Sequence, residues 1–264
     1  MEKGRNLVDM PMRDWPSTVL GRLPIVRAGM DDSAEGFIRT ALAARGKNER
    51  PFYSTSANGQ VIALYGQDGA FRELMDQADQ IHADGMPMVR YSKMFSKHPV
   101  TERVATTDLV HAVAERAVEA GVRFYFLGAS EEVNARAVER MKELHPGLVF
   151  AGRRNGYFKR EDEDAIVADI LASQTDILWI GLGVPLEQAF VSRNIDRLRG
   201  VGVIKTSGGL FDFLSGRNKR APGWMQAVGL EWAYRMYLEP RRLGWRYLAS
   251  NPVALHALFR HSAG

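Results

Sequence analysis

Residues 122–144 read VRFYFLGASEEVNARAVERMKEL, and this stretch decides the fold class. Its first six residues form an apolar, aromatic run typical of a buried strand. A Gly-Ala-Ser turn follows, and Ser130 can cap the helix that residues 131–144 predict. A strand, a small-residue turn and a helix make up much of a βαβ unit. The segment therefore predicts a parallel sheet covered by helices.

The same alternation continues on both sides of this segment. Strands are predicted at residues 23–26, 52–54, 79–83, 148–151, 177–180 and 201–205, and helices at residues 33–45, 61–77, 107–120, 162–173 and 187–198. This pattern favours an α/β fold with a Rossmann-like, mostly parallel sheet and helices on both faces. We predict an N-terminal segment packed on the core (1–50), an α/β domain (51–214) and a C-terminal helical appendage (215–264).

The predicted appendage differs from the rest of the chain in composition. From Arg217 to the end there are eight Arg and Lys residues and two Glu, a net charge of +6, whereas the whole chain carries +4. Three of the five tryptophans, Trp224, Trp232 and Trp245, lie in the same part. Arginine among amphipathic aromatics suits a lipid headgroup layer. A solvated basic face over an ordinary core helix explains the pattern equally well.

Composition excludes several classes of protein and site. The chain has no cysteine, which rules out disulfides and thiolate metal sites. No apolar run approaches the roughly 20 residues that span a bilayer, and residues 1–13 lack a signal-peptide core, so we expect a cytoplasmic protein. No His pair or carboxylate cluster has metal-ligand spacing, and no metal or other cofactor is predicted.

Three predicted strands end in small-residue turns, at residues 128–130, 181–183 and 207–209. In an open α/β sheet, ligands bind beyond the carboxyl ends of the strands, and glycine there lets the backbone approach a phosphate. The turns together predict a nucleotide site. The sequence contains neither a P-loop motif nor an intact G-x-G-x-x-G.

The candidate for acid–base chemistry is Asp84, in the sequence IHADGMP (81–87). An acid followed by Gly and Pro at a strand end is either a turn former or an active-site carboxylate, and composition alone favours the turn. His82 would point to the same side of an extended chain, but a lone His is more often structural.

Six segments in a fixed order carry a family resemblance. They are ADGMP (83–87), ERV with TDL (102–109), FLGA (126–129), GLVFAGRRNGYF (147–158), WIGLGVP (179–185) and the part from 205 to 247 with GGLFDFLSGRNKRAP, GLEWAYR and LEPRRLGWRYL. In this order and spacing they resemble the WecG/TagA/CpsF family of bacterial glycosyltransferases, from about Pro51 to Pro252.

The resemblance implies an activity. Such enzymes transfer a sugar from a UDP-sugar to a sugar linked to polyprenyl diphosphate, at the inner face of the cytoplasmic membrane, with inversion and without a metal. The domain 51–214 is then the catalytic domain and 215–264 a membrane-associating appendage. The products expected are exopolysaccharide or other cell-envelope polymers, nucleic acid is not an expected partner, and self-association is compatible with the family.

The resemblance also assigns residues. Asp84 matches the proposed general base, and Arg103 matches a pocket arginine. The other predicted substrate-binding residues are Ser56, Asn58, Gln188, Tyr157, Asp212, Gly128 and Gly183, and the predicted diphosphate-binding residues are Arg235, Arg241, Arg242 and Arg246. Ser56 stands where the family has Thr. After Pro185 the family usually has Lys-Gln-Glu, whereas this chain has Leu186-Glu187-Gln188.

Two other functions fit the residues. A nucleotide- or nucleic-acid-binding α/β module with a basic tail would show salt-sensitive binding to DNA or RNA. A catalytically silent scaffold in an assembly complex would leave polymer synthesis intact when Asp84 is mutated.

Overall fold

The structure, a computed structural model, describes residues 7–227, 229–238 and 240–262, without the side chains of residues 227, 235, 242, 243 and 245–248. In these residues eight strands form one sheet in the order β1-β2-β4-β3-β8-β7-β5-β6. The strands are β1 (Ser17–Leu20), β2 (Leu23–Val26), β3 (Phe52–Ala57), β4 (Gln80–Ala83), β5 (Arg123–Gly128), β6 (Val149–Arg154), β7 (Ile177–Gly181) and β8 (Val203–Thr206). The helices are α1 (Met30–Ala44), α2 (Gly59–Gln67), α3 (Gly69–Met75), α4 (Met86–Phe95), α5 (Thr106–Ala120), α6 (Glu131–Leu144), α7 (Glu163–Ala172), α8 (Leu186–Asn194), α9 (Leu210–Leu214), α10 (Gly223–Ala227), α11 (Glu231–Leu238) and α12 (Pro240–His261).

The sheet is parallel except at one edge. Among these strands β1 and β2 pair antiparallel, and every other neighbouring pair is parallel. All five residues of β7 are buried, as expected for a parallel strand covered on both faces. The predicted α/β class with a mostly parallel sheet is confirmed.

Helices cover both faces of the sheet. Successive strand residues point to opposite sides, so each strand contributes apolar residues to a core on either face. Phe124 of β5 packs with Phe37 and Trp179 in one core, whereas the next residue, Tyr125, packs with Phe190 in the other. The first core lies under α1, α5, α6 and α9, and the second lies under α7 and α8.

The last helix belongs to a third apolar core beside the β1–β2 hairpin. Ala254, Ala257 and Leu258 of α12 are buried there with residues of α2 and β2. The backbone N–H of Arg22 also donates to the carbonyl of His261 at 3.0 Å. The predicted appendage therefore contacts the rest of the chain through α12, while its boundary at residue 214 stays a prediction.

The predicted and observed elements differ at several points. Residues 61–77 form two helices because the Asp68 side chain accepts hydrogen bonds from the N–H groups of Ala70 and Phe71 and starts α3. The short strand β1 was not predicted, nor was α4. Gly85, Met86 and Pro87 resemble a turn, yet proline is well tolerated in the first turn of a helix, and α4 begins there.

Candidate active site

Asp84 lies at the carboxyl end of β4, immediately before α4. All four residues of β4 are buried, whereas Asp84 is partly exposed. Its backbone N–H donates to the carbonyl of Ala57 at 2.9 Å, which fixes it to the end of β3. The structure therefore places this carboxylate at the edge of the sheet where ligands bind in α/β folds.

His82 is a structural residue, as its sequence context indicated. The ring is fully buried, with Nδ1 at 3.1 Å from Ser54 Oγ and Nε2 at 3.1 Å from Ser33 Oγ. Burial, followed by the nearby charge of Lys205, holds the pKa of His82 well below its usual range. A neutral, doubly hydrogen-bonded ring has no part in proton transfer at the surface.

Ser56 and Asn58 lie on the neighbouring strand end. Ser56 Oγ accepts a hydrogen bond from Lys205 Nζ at 2.7 Å and lies 3.1 Å from Thr106 Oγ1. The Asn58 side chain caps α2 by accepting from the N–H of Val61 at 3.2 Å. Both residues are thus brought to the same sheet edge as Asp84, with contacts inside the protein.

Lys205 is a central residue of this site that the sequence analysis missed. It is completely buried on β8, which is rare for lysine. Burial lowers its pKa to about 7, although the charges of Asp84 and Glu187 act in the opposite direction. A lysine in the apolar run of a buried strand, VIKT, was the available signal.

Glu187 connects two of the glycine turns, those after β7 and β8, through hydrogen bonds. Its carboxylate is buried and accepts from the N–H of Gly208 at 2.9 Å and from the N–H of Gly183 at 3.2 Å. Burial raises the pKa of Glu187 to about 7 against the effect of these bonds. Two of the amide groups expected to face a phosphate are therefore bound to a side chain of α8.

Gln188 is buried beside Glu187. Its side-chain Nε2 lies 3.5 Å from Glu187 Oε1, and its Oε1 has no hydrogen-bond partner among the residues that the structure describes. Gln188 as a substrate contact stays a prediction.

Four charged residues connect α11 to the sheet edge. Arg103 Nη1 donates to Glu231 Oε2 at 2.8 Å and Nη2 to Asp108 Oδ2 at 3.4 Å. Arg220 donates to both oxygens of Asp108. Burial lowers the pKa of the Arg220 guanidinium, but Asp108, Glu231 and Asp84 raise it overall. The charge of the predicted base therefore acts on Arg220, an interaction that the sequence did not indicate.

The predicted nucleotide contacts lie at the other half of the edge, after β5, β6 and β8. Gly128 has φ +143°, and a Cβ there would come within 2.2 Å of the Gly181 carbonyl oxygen, so only glycine fits. Tyr157 is 82% exposed, and Asp212 Oδ1 lies 3.5 Å from Arg217 Nη1. The buried pair Lys205–Glu187 lies between this half and the Asp84 half.

Of the predicted diphosphate-binding arginines, the structure describes one side chain. Arg241 is exposed in the first turn of α12, which begins at Pro240. Arg235 belongs to α11, and Arg242 and Arg246 belong to α12, but their side chains lie outside the described residues.

Metal-binding clusters and membrane-spanning helices are both absent from the described ranges. In residues 7–227, 229–238 and 240–262 no three His, Asp or Glu side chains are grouped so as to hold a metal ion. No helix in that part of the chain is both long enough and apolar enough to cross a membrane.

Comparison with known proteins identifies the family. The model of the glycosyl transferase WecG/TagA/CpsF family matches residues 21–264. The chain belongs to the WecG/TagA/CpsF family of glycosyltransferases. It is also similar to an N-acetylglucosaminyldiphosphoundecaprenol N-acetyl-beta-D-mannosaminyltransferase from Bacillus spizizenii, with 32% identity over 209 residues that cover 79% of each chain. Within this WecG/TagA/CpsF protein, the match includes β2, every later strand and the appendage.

Proposed function

We propose that the protein is an inverting glycosyltransferase that moves a sugar from a UDP-sugar to a sugar linked to polyprenyl diphosphate, in the synthesis of exopolysaccharide or another cell-envelope polymer. The name of the Bacillus relative supports a lipid-diphosphate acceptor. The observation that carries the proposal is the position of Asp84, a partly exposed carboxylate at the sheet edge whose charge acts on Lys205 and Arg220.

Asp84 is the proposed general base. As the acceptor hydroxyl oxygen forms a bond to the anomeric carbon, its proton passes to the Asp84 carboxylate. The bond between that carbon and the diphosphate oxygen breaks, and its electron pair leaves with UDP. Attack on the face opposite the leaving group inverts the anomeric centre.

Arginines are the proposed stabilisers of the departing diphosphate. A guanidinium stays charged and binds phosphate oxygens in pairs, so Arg103 and Arg220 at the sheet edge suit this role. Arg235, Arg241, Arg242 and Arg246 of the appendage would add positive charge around either diphosphate. Catalysis in this scheme is independent of metal ions.

Donor binding is proposed for the other half of the edge. There Tyr157 offers an exposed ring to the base of the nucleotide, and Asp212 offers a carboxylate to the ribose. Gly128 allows close approach of the backbone. Ser56, Asn58, Gln188 and Gly183 complete the proposed substrate contacts.

Peripheral attachment to the inner face of the cytoplasmic membrane is part of the proposal. We define the aromatic patch as Tyr91, Met94 and Phe95 of α4 with Leu255 and Phe259 of α12. Its rings contact one another with centroids 4.9 to 5.7 Å apart, and Met94, Phe95, Leu255 and Phe259 are 49 to 72% exposed.

The charges around the patch support a lipid partner. Lys93, Lys97 and Arg260 are exposed next to it in the sequence. Apolar rings among basic residues suit an anionic lipid surface. Trp224 and Tyr237, two of the aromatics that the tail composition indicated, are also exposed. Since α4 starts two residues after Asp84, the same helix links the proposed base to this surface.

The test is a transfer assay with purified protein, a panel of UDP-sugars and a short-chain lipid-diphosphate sugar acceptor. Asp84→Asn should lower kcat by a factor of about 10² to 10⁴ with little change in KM, because the proton acceptor is lost. Asp14→Asn is the matched control, since Asp14 is exposed and adjoins Arg13, which pairs with Asp79 at the amino end of β4. No transfer from any donor, or full activity of Asp84→Asn, would refute the proposal.

A further inference from the structure

A chain of buried polar side chains runs beneath the proposed base. Lys205 of β8 is paired in register with Ser54 of β3 and Trp179 of β7, so its side chain emerges on the face covered by α1 and α5. From there the ammonium group reaches Ser56 Oγ at 2.7 Å. Because Ser56 Oγ accepts this bond, its own proton is directed away from Lys205, toward Thr106 or the cleft.

Lys205 lies among charges that come from three elements. Asp84 after β4 and Glu187 of α8 both act on its pKa, and the effect of Asp84 is the larger. His82 of β4 is held neutral, in part by the charge of Lys205. The charge of Asp84 also acts on Arg220 of the appendage. Lys205 is thus the buried cation between the proposed base and the carboxylate that holds the Gly183 and Gly208 turns.

We propose that Lys205 is a positioning residue of the transferase centre, which orients the Ser56 hydroxyl and keeps Asp84 ionised for proton transfer. This inference rests on the proposed function. Lys205 is fully buried, so it acts through Ser56 and Asp84 and not on the substrate.

A purely structural role for Lys205 and Glu187 makes different predictions. Buried charges of opposite sign contribute little net stability, and neutral replacements of similar size often fold at least as well. If Lys205 served only to compensate the buried negative charge of Glu187, then replacing both residues by neutral ones would restore function together with stability. If Lys205 positions Ser56 and Asp84, stability would return and function would not.

The experiment compares Lys205→Met, Lys205→Met/Glu187→Gln and Ser56→Ala with the wild-type protein. We expect the double variant to fold and to bind the UDP-sugar normally, with kcat lowered about 10- to 100-fold. The midpoint of the acidic side of its kcat–pH profile should move to higher pH by about 1 unit or more, because the positive charge of Lys205, which favours ionised Asp84, is gone. Ser56→Ala should lower kcat about tenfold and leave the acidic limb in place. Lys205→Met alone should lose thermal stability as well.

A second readout does not require transfer. In the wild-type protein and in the double variant, the Asp84 carboxyl is titrated by carbon NMR, its signal being assigned by its loss in Asp84→Asn. An upward shift in its pKa supports the inference. An unshifted pKa, a double variant with wild-type kcat and pH profile, or a fully active Ser56→Ala would overturn it. Absence of transfer by the wild-type protein would instead refute the proposed function.

Discussion

Glu231 Oε2 of α11 lies 2.8 Å from Arg103 Nη1, and Glu231 Oε1 lies 3.8 Å from Arg220 Nε. A carboxylate of the appendage therefore pairs with two guanidiniums, and the charge of the predicted base acts on one of them, that of Arg220. A diphosphate would present the same kind of anionic oxygens to them. An incoming diphosphate must displace Glu231 or share these arginines with it.

We therefore predict that Glu231→Gln lowers the KM for the UDP-sugar several-fold, because the competing negative charge is removed. The same change should lower the melting temperature, since it weakens the link between α11 and Arg103. Steady-state kinetics at low and high salt measure the first effect, and thermal unfolding measures the second. Glu139→Gln is the control. Glu139 is exposed on α6, and its replacement removes the same charge from the protein. A higher KM in Glu231→Gln would show that Glu231 assists binding.

The Lys205–Glu187 pair gives a stability prediction with a defined pH dependence. The pKa of Glu187 is raised to about 7, so its contribution to stability is complete below the unfolded value and is lost as the pH rises toward 7. The pKa of Lys205 is lowered to about 7, so its contribution is complete above the unfolded value and is lost as the pH falls toward 7. The two groups together therefore reduce the free energy of unfolding most near neutral pH.

Lys205→Met/Glu187→Gln should accordingly unfold with a free energy about 1 to 4 kcal/mol higher than the wild type at pH 7. The difference should narrow at pH 5 and at pH 9, because the pH is then closer to the unfolded pKa of Glu187 or of Lys205, and keeping that group neutral in the folded protein costs less free energy. Urea denaturation at the three pH values measures it. A difference that does not change with pH would mean that the charges are not the cause.

A chelation experiment tests the proposed independence from metal ions. If Arg103, Arg220 and the arginines of the appendage supply the positive charge, then transfer should continue at the same rate in excess EDTA. The measurement compares initial rates with EDTA alone and with EDTA plus an excess of Mg²⁺ or Mn²⁺. A rate that falls with EDTA and recovers with either ion would contradict the arginine scheme.

The sequence predicted the parts of this protein that depend on local pattern. The aromatic run of β5, the cap at Ser130 and α6 follow from neighbouring residues, and the structure has them within about one residue. The position of Asp84 directly after a strand also followed from the sequence, and its role as a base, which comes from the family motif, stays a prediction. The helix α4 was missed because Gly85 and Pro87 favour a turn and a helix start alike.

The missed residues depend on contacts between distant parts of the chain. Lys205 bonds to Ser56, 149 positions away, and its burial follows from the pairing of β8 with β3 and β7. The position of Arg220 depends on its ion pair with Asp108, 112 positions away. Composition marked Arg220 only as one basic residue of the tail, because charge patterns carry no information about which carboxylate a side chain meets.

The aromatic patch gives a prediction for membrane binding. Phe95→Ser/Phe259→Ser should weaken binding to vesicles that contain anionic lipid by about tenfold or more, since each ring that inserts contributes on the order of 1.5 to 3 kcal/mol. The kcat with a short-chain, water-soluble acceptor should stay unchanged, because neither phenylalanine is among the proposed catalytic or substrate-binding residues. Vesicle sedimentation at two salt concentrations and the transfer assay measure the two effects.

Leu144→Ser is the matched control for this variant, because Leu144 is 53% exposed at the end of α6, outside the patch. It should bind vesicles as the wild type does. If replacing the two phenylalanines weakens vesicle binding as little as replacing Leu144 does, then the patch does not contact lipid. The exposed Trp224 and Tyr237 would then be the aromatics to replace next, since membrane contact would have to come from α10 and α11.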